Sequence, residues 1–219
     1  MAADVEAGPE SLGVENGKIG MWTFLVMDAM TFAGFLAGYA RLRWSPASGW
    51  PDPYQTFGTL GIQLTAFNTF VLICSSVSMV HVLAETAKGH LKKAQFWMIL
   101  TICGGLFFLG VQGFEWTHLI LDKWGYLMNL DPFTLEGAIE MVKQKDGYEN
   151  LNFAATFFNL TGFHGCHVAV GVMYNIILLL GLRTGKITQE NASLIEIGGL
   201  YWHFVDLIWI LVFTFVYLI

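Results

Sequence analysis

Residues 197–219 read Ile197-Gly-Gly-Leu-Tyr-Trp-His-Phe-Val-Asp-Leu-Ile-Trp-Ile-Leu-Val-Phe-Thr-Phe-Val-Tyr-Leu-Ile219. The run holds two ionisable side chains, His203 and Asp206, and no proline. It is long enough to cross a hydrocarbon core of ~30 Å, which takes ~20 helical residues. Backbone groups in lipid have no water to bond, so such a run is a helix. Four more stretches read the same way, at about 20–40, 58–82, 95–121 and 152–182. The fold class that follows is all-α, a polytopic transmembrane bundle of five helices within 20–219. The rival reading, five fully buried helices of a soluble protein, leaves almost no chain to cover them.

Composition agrees. The chain is 55% hydrophobic and 13% charged, where soluble domains carry about 25% charged residues. Net charge is −6, so no basic footprint for nucleic acid exists. Residues 1–19 hold four acids against Lys18. That pattern lacks the basic start and apolar run of a signal peptide and reads as a polar N-terminal tail. Cys74, Cys103 and Cys166 lie apart in apolar runs, which argues against a disulfide framework and suggests small core residues.

The connections carry the breaks. Pro46, Pro51 and Pro53 interrupt helix after the first span. Residues 122–151 form a long extramembrane loop, in which Leu135, Ile139 and Val142 follow Thr134 at the spacing of a short amphipathic helix. Trp44, Trp50, Trp124 and Tyr126 fall just beyond span ends, where interfacial aromatic anchors sit. With the N-terminus cytoplasmic, the inner segments hold Lys18, Lys88, Lys92, Lys93, Arg183 and Lys186. The outer ones hold Arg41, Arg43, Lys123, Lys143 and Lys145. The balance is close, and the short basic loop around 88–93 favours that orientation.

Ionisable groups inside spans are costly and mark function by default. Asp28 lies mid-span with no basic residue within a turn; Glu115 and His118 lie late in the third span. His164 and His167 are three apart in the fourth, and so are His203 and Asp206 in the fifth. For Asp28 two readings stand: a proton-linked acid, or an acid hydrogen-bonded to a neighbouring helix for packing. For the four groups of the last two spans, a metal site stands beside polar helix–helix or lipid contacts. Gly34 and Gly38, with Ala29, Ala33 and Ala37, form small-residue rows that let helices approach.

Two strings go further. Thr161-Gly-Phe-His-Gly-Cys-His-Val168 resembles the T-G-F-H-G-x-H-V signature of cytochrome c oxidase subunit III. Tyr201-Trp-His-Phe-Val-Asp206, followed by Trp209, resembles that family's closing string. Phe67-Asn68-Thr69, Gln112 and Glu115 agree further. The resemblance runs from Gly20 to the C-terminus, but the family usually has seven spans and this chain starts where the third would. It is similar to five-span bacterial forms, so the family's lipid-filled cleft between the first two helices and the other five is not assumed here. Asp28 also stands where the family usually has Glu, and the 122–151 loop is longer than usual.

The resemblance implies a non-catalytic subunit III of a proton-pumping haem-copper oxygen reductase in the bacterial inner membrane. It implies direct packing on subunit I and, as further partners, subunit II and other respiratory chains up to a supercomplex. It implies no cofactor in this chain, with haem and copper in partner subunits and phospholipid bound between helices. Intramembrane acids at Asp28 and Glu115 would be proton-linked or serve packing; His164, His167, Trp202, His203 and Asp206 would make polar helix or lipid contacts. A subunit III-like chain of a quinol oxidase or nitric oxide reductase is the alternative, and a membrane metalloenzyme or transporter is the reading from other classes.

Overall fold

A computed structural model describes residues 16–45, 50, 52–119 and 145–219. Five helices carry the fold: α1 (Asn16–Arg43), α2 (Pro53–Ala87), α3 (Leu91–His118), α4 (Lys145–Arg183) and α5 (Ser193–Phe213). A π-helical turn, Thr214–Leu218, prolongs α5. Each of the five is long and apolar enough to cross a membrane. The helices outrun the apolar stretches because polar residues at span ends, Asn16 to Lys18 for example, still continue the helical backbone.

Local chemistry sets the ends. Asp52 caps α2, its Oδ1 accepting from the Tyr54 amide at 2.9 Å, with Pro53 in the first turn. Gly89 and Gly185, at φ 79° and 70°, take the left-handed conformation that closes α2 and α4. The returning amides of His90 and Lys186 bond to Glu85 and Gly181 carbonyls at 2.9 and 3.0 Å.

α5 lies centrally, packed on α2, α4 and α1, while α3 packs on α2 and α4. Of the most apolar stretch of α5, 50% is buried in the bundle, against 17% for α1. The outer surface is apolar, with Met30 at 71%, Leu60 at 80% and Phe114 at 66% exposure, as a lipid-facing surface requires.

Close approach is set by glycines other than the expected row. Among the described residues a Cβ on Gly34 or Gly38 would meet nothing within 4 Å, so neither glycine is needed for a close helix approach there. A Cβ on Gly105 would lie 2.6 Å from the Trp202 ring, and one on Gly171 2.8 Å from it. The Trp202 indole therefore fills the space between α3 and α4. The three cysteines are exposed on the outer face and are not core residues. Trp44 is exposed as an anchor would be, whereas Trp50 turns inward between Tyr39 and Phe153, with ring centroids 5.2 and 5.5 Å away. Trp124, Tyr126 and the amphipathic segment of the 122–151 loop lie outside the described residues, as does most of the N-terminal tail.

Candidate functional site: a polar seam through the bundle

Polar side chains on facing helices form a seam. Trp202 Nε1 donates to Ser75 Oγ at 3.1 Å, and Trp209 Nε1 to Thr69 Oγ1 at 2.9 Å, joining α5 to α2 twice. Ser78 and Thr101 share a hydroxyl contact at 2.8 Å, and Asn68 Nδ2 donates to the Phe108 carbonyl at 3.4 Å, joining α2 to α3. Gln112 Nε2 donates to the Thr161 carbonyl at 2.8 Å, joining α3 to α4. Each bond replaces a contact lipid cannot supply, and such interhelical bonds contribute roughly 0.6 kcal/mol on average.

Asp28 is buried on the inner face of α1, where its Oδ1 lies 3.2 Å from His167 Nε2 on α4. The other ring nitrogen, Nδ1, lies 2.7 Å from the Phe163 carbonyl. A carbonyl only accepts, so Nδ1 carries a hydrogen. Nε2 and Oδ1 then face each other with one proton to share: a neutral acid against a neutral imidazole, or a carboxylate against an imidazolium. The Tyr201 hydroxyl donates to the His167 carbonyl at 3.0 Å, tying α5 to the same turn. Phe32 and Phe163 pack on the imidazole, with centroids 5.4 and 4.6 Å away, and keep the pair in an apolar surround.

Glu115 forms a second polar knot toward the other end. The Tyr217 hydroxyl donates to Oε2 at 2.9 Å, and the Thr65 hydroxyl lies 3.1 Å from Oε1. Two hydroxyls from α2 and from the terminal turn thus hold one acid from α3. His118 stacks beside Phe114 at the end of the same helix.

The remaining groups diverge. His164 is fully buried among Trp209 and Phe108, at 4.8 and 5.6 Å between centroids, and neither ring nitrogen has a hydrogen-bond partner among the described residues. Asp206 is buried against Ser76 of α2. His203 points away from it and lines a groove of about 320 Å³ between α1 and α5, beside Trp22 and Leu207. The spacing of three in each helix brought neither pair to a common centre, because one member of each faces the core and the other α1. Among the described residues no three His, Cys, Asp or Glu side chains come together as a metal would require.

Sequence reasoning missed the anchors of the seam. Ser75 and Thr65 gave only a weak signal, small hydroxyls in the second span, and Tyr217 was read as part of an apolar run; Thr69 entered only through the family resemblance.

Five apolar helices held together by a buried polar seam define a polytopic membrane protein. Comparison with known proteins gives the family. Residues 130–219 match the family model described as "Cytochrome c oxidase subunit III". The chain is 32% identical to cytochrome c oxidase subunit 3 of Alkalihalophilus pseudofirmus, over 96% of this chain and 91% of that one. It is 28% identical to cytochrome c oxidase subunit 3 of Bacillus sp. PS3, over 97% and 91%. It is 30% identical to a probable quinol oxidase subunit 3 of Staphylococcus aureus, over 94% and 90%. The chain belongs to the subunit III family of haem-copper oxidases. It is accordingly a multi-pass membrane protein that associates with other subunits of an oxidoreductase complex.

Proposed function

We propose that this chain is the non-catalytic subunit III of a proton-pumping cytochrome c oxidase. It packs on subunit I, steadies it during turnover and supports its proton uptake. Haem and copper reside in the partner subunits; this chain contributes helix contacts and bound phospholipid. Its place is the bacterial inner membrane, with the N-terminus cytoplasmic, so that Lys18, Lys88, Lys92 and Lys93 lie on the inner side.

The observation that carries the proton-linked part is the Asp28–His167 contact. A packing contact needs no shared ionisable proton, and two ionisable groups inside a span are costly unless used. Within that arrangement Glu115 serves packing, since both oxygens meet hydroxyl groups. His164 serves as an aromatic-packed core residue, and Trp202 as the clamp between helices.

The experiment is purification of the tagged chain from its native membrane in mild detergent, with a reduced-minus-oxidised spectrum and mass spectrometry of the co-purifying chains. Haem bands, a large haem-copper subunit and a copper-bearing donor subunit are the expected result. A colourless preparation would overturn the assignment. A second reading, a quinol-oxidising core, is favoured by the relative named as a quinol oxidase subunit; a complex that oxidises quinol and lacks the donor copper would establish it.

A further inference from the structure

We infer that the acidic N-terminal segment, residues 1–15, binds a basic surface formed by the turns after α2 and α4, on the face of the bundle where α1, α3 and α5 begin. Contacts along the helices fix that face. α2 and α3 meet at Ser78–Thr101 and Asn68–Phe108, and α3 and α4 at Gln95–Leu182 and Gln112–Thr161, so neighbours in sequence run antiparallel. The two turns touch: Gln95 Nε2 donates to the Leu182 carbonyl at 3.0 Å, and a Cβ on Gly89 would lie 3.7 Å from Gln189 Oε1.

The surface has more cations than it can pair. Residues 84–93 and 183–192 carry Lys88, Lys92, Lys93, Arg183 and Lys186 against Glu85 and Glu190. Glu85 is already committed to Lys88 and His90, at 3.3 and 3.0 Å. Lys92, Arg183 and Lys186 are exposed and have no ion pair among the described residues. Like charges gathered on one surface repel, and an anionic segment laid across them relieves that repulsion.

Residues 1–15 fit this surface in charge and in reach. They hold Asp4, Glu6, Glu10 and Glu15 and no lysine, arginine or histidine. α1 starts against α5, where Lys18 Nζ lies 2.7 Å from Glu196 Oε2 and a Cβ on Gly17 would meet Ile197 at 3.0 Å. The segment therefore joins the bundle beside the turn that carries Lys186. α4 packs on α5, and α3 on α4. Their ends thus lie one and two helix spacings away, at ~8–10 Å each. From Glu15 back to Asp4 the chain can span ~36–40 Å. Tethering favours it over a free anion, because a short linker holds its cargo at an effective concentration of order mM.

The test uses the purified oxidase complex with the full chain. Lysines are acetylated briefly, and each site is read by mass spectrometry. Wild type is compared with a variant carrying Asp4→Asn, Glu6→Gln and Glu10→Gln, substitutions outside the bundle. At ~0.01 M salt, where charges act over ~30 Å, Lys92 and Lys186 are expected to react about threefold faster in the variant. At ~1 M, where the range is ~3 Å, the two proteins should react alike. Lys18, held by Glu196, should react equally in both. In a second measurement, a carbodiimide should join Glu6 or Glu10 to Lys92, Lys93 or Lys186, and mixed light and heavy isotope preparations should place both ends in one copy. The Lys18–Glu196 link is the positive control. Equal acetylation of wild type and variant at low salt would overturn the proposal. So would tail links that run only to another chain or a second copy. Protection that follows added anionic phospholipid, with acidic and neutral tails alike, would also overturn it and assign the surface to the membrane.

Discussion

His167 Nε2 and Asp28 Oδ1 lie 3.2 Å apart across the α1–α4 contact, with the other ring nitrogen committed to a backbone carbonyl. Replacing the acid in three ways separates proton linkage from packing. Asp28→Asn keeps a polar partner for Nε2 but has no proton to exchange. Asp28→Ala leaves Nε2 stranded in a buried place, at a cost of ~1–3 kcal/mol. Asp28→Glu restores the carboxyl. If the pair is proton-linked, the Asn and Ala variants both shorten the turnover lifetime or slow proton uptake of an assembled oxidase with an unchanged haem spectrum, and Glu recovers the loss. An Asn variant with wild-type lifetime and pumping would reduce the pair to a packing contact.

The glycine pattern is testable by simple substitution. Gly105→Ala and Gly171→Ala push a methyl to 2.6 and 2.8 Å from the Trp202 ring. The ring is held by its bond to Ser75, so it cannot yield freely. Overpacking of this kind costs ~1–3 kcal/mol, and thermal unfolding of the purified chain in detergent should fall accordingly. Gly34→Ala and Gly38→Ala face open space and should leave the same midpoint unchanged. Matched losses at all four positions would contradict the packing described here.

Much of this was legible beforehand, for a physical reason. Lipid forces continuous apolar helices, so hydropathy alone located five spans and a polar Asp28 within one of them. Which way each helix turns was not legible. A GxxxG row advertises close approach, yet Gly34 and Gly38 face outward, and the glycines that matter, Gly105 and Gly171, carry no such spacing. Helical spacing put His164 beside His167 and His203 beside Asp206, but residues three apart diverge by most of a right angle. That divergence sends one of each pair into the core and the other toward α1. Polar partners such as Ser75 and Tyr217 are set by tertiary register, which one sequence does not contain.

Glu115 should behave differently from Asp28. Its two oxygens meet the Tyr217 and Thr65 hydroxyls, and no histidine, lysine or arginine bonds to it in the described residues. Glu115→Gln keeps an acceptor for Tyr217 and should leave the thermal midpoint and the oxidase turnover close to wild type. Glu115→Leu strands the hydroxyl of Tyr217, a residue 1% exposed, and should lower stability by ~1–3 kcal/mol. A Gln variant that loses proton uptake while keeping its stability would move Glu115 into the proton-linked class.

His203 and Asp206 were expected to act alike, as polar contacts to a helix or to lipid, and the geometry now divides them. Asp206 is buried against α2, so Asp206→Ala opens a hole in the seam and should weaken the chain itself, seen as a lower thermal midpoint in detergent and looser attachment to the oxidase. Asp206→Asn, with the same shape, should recover most of that loss. His203 lines the α1–α5 groove beside Trp22, and the role proposed for it there is contact with a lipid. His203→Ala should therefore leave the midpoint within ~0.5 kcal/mol of wild type, the range of surface substitutions. It should lower the phospholipid retained per complex, counted by mass spectrometry after detergent washing. Neither substitution should shift the haem bands. A His203→Ala complex that retains all its phospholipid but unfolds early would show that His203 holds helices, and would merge the two residues into one structural role.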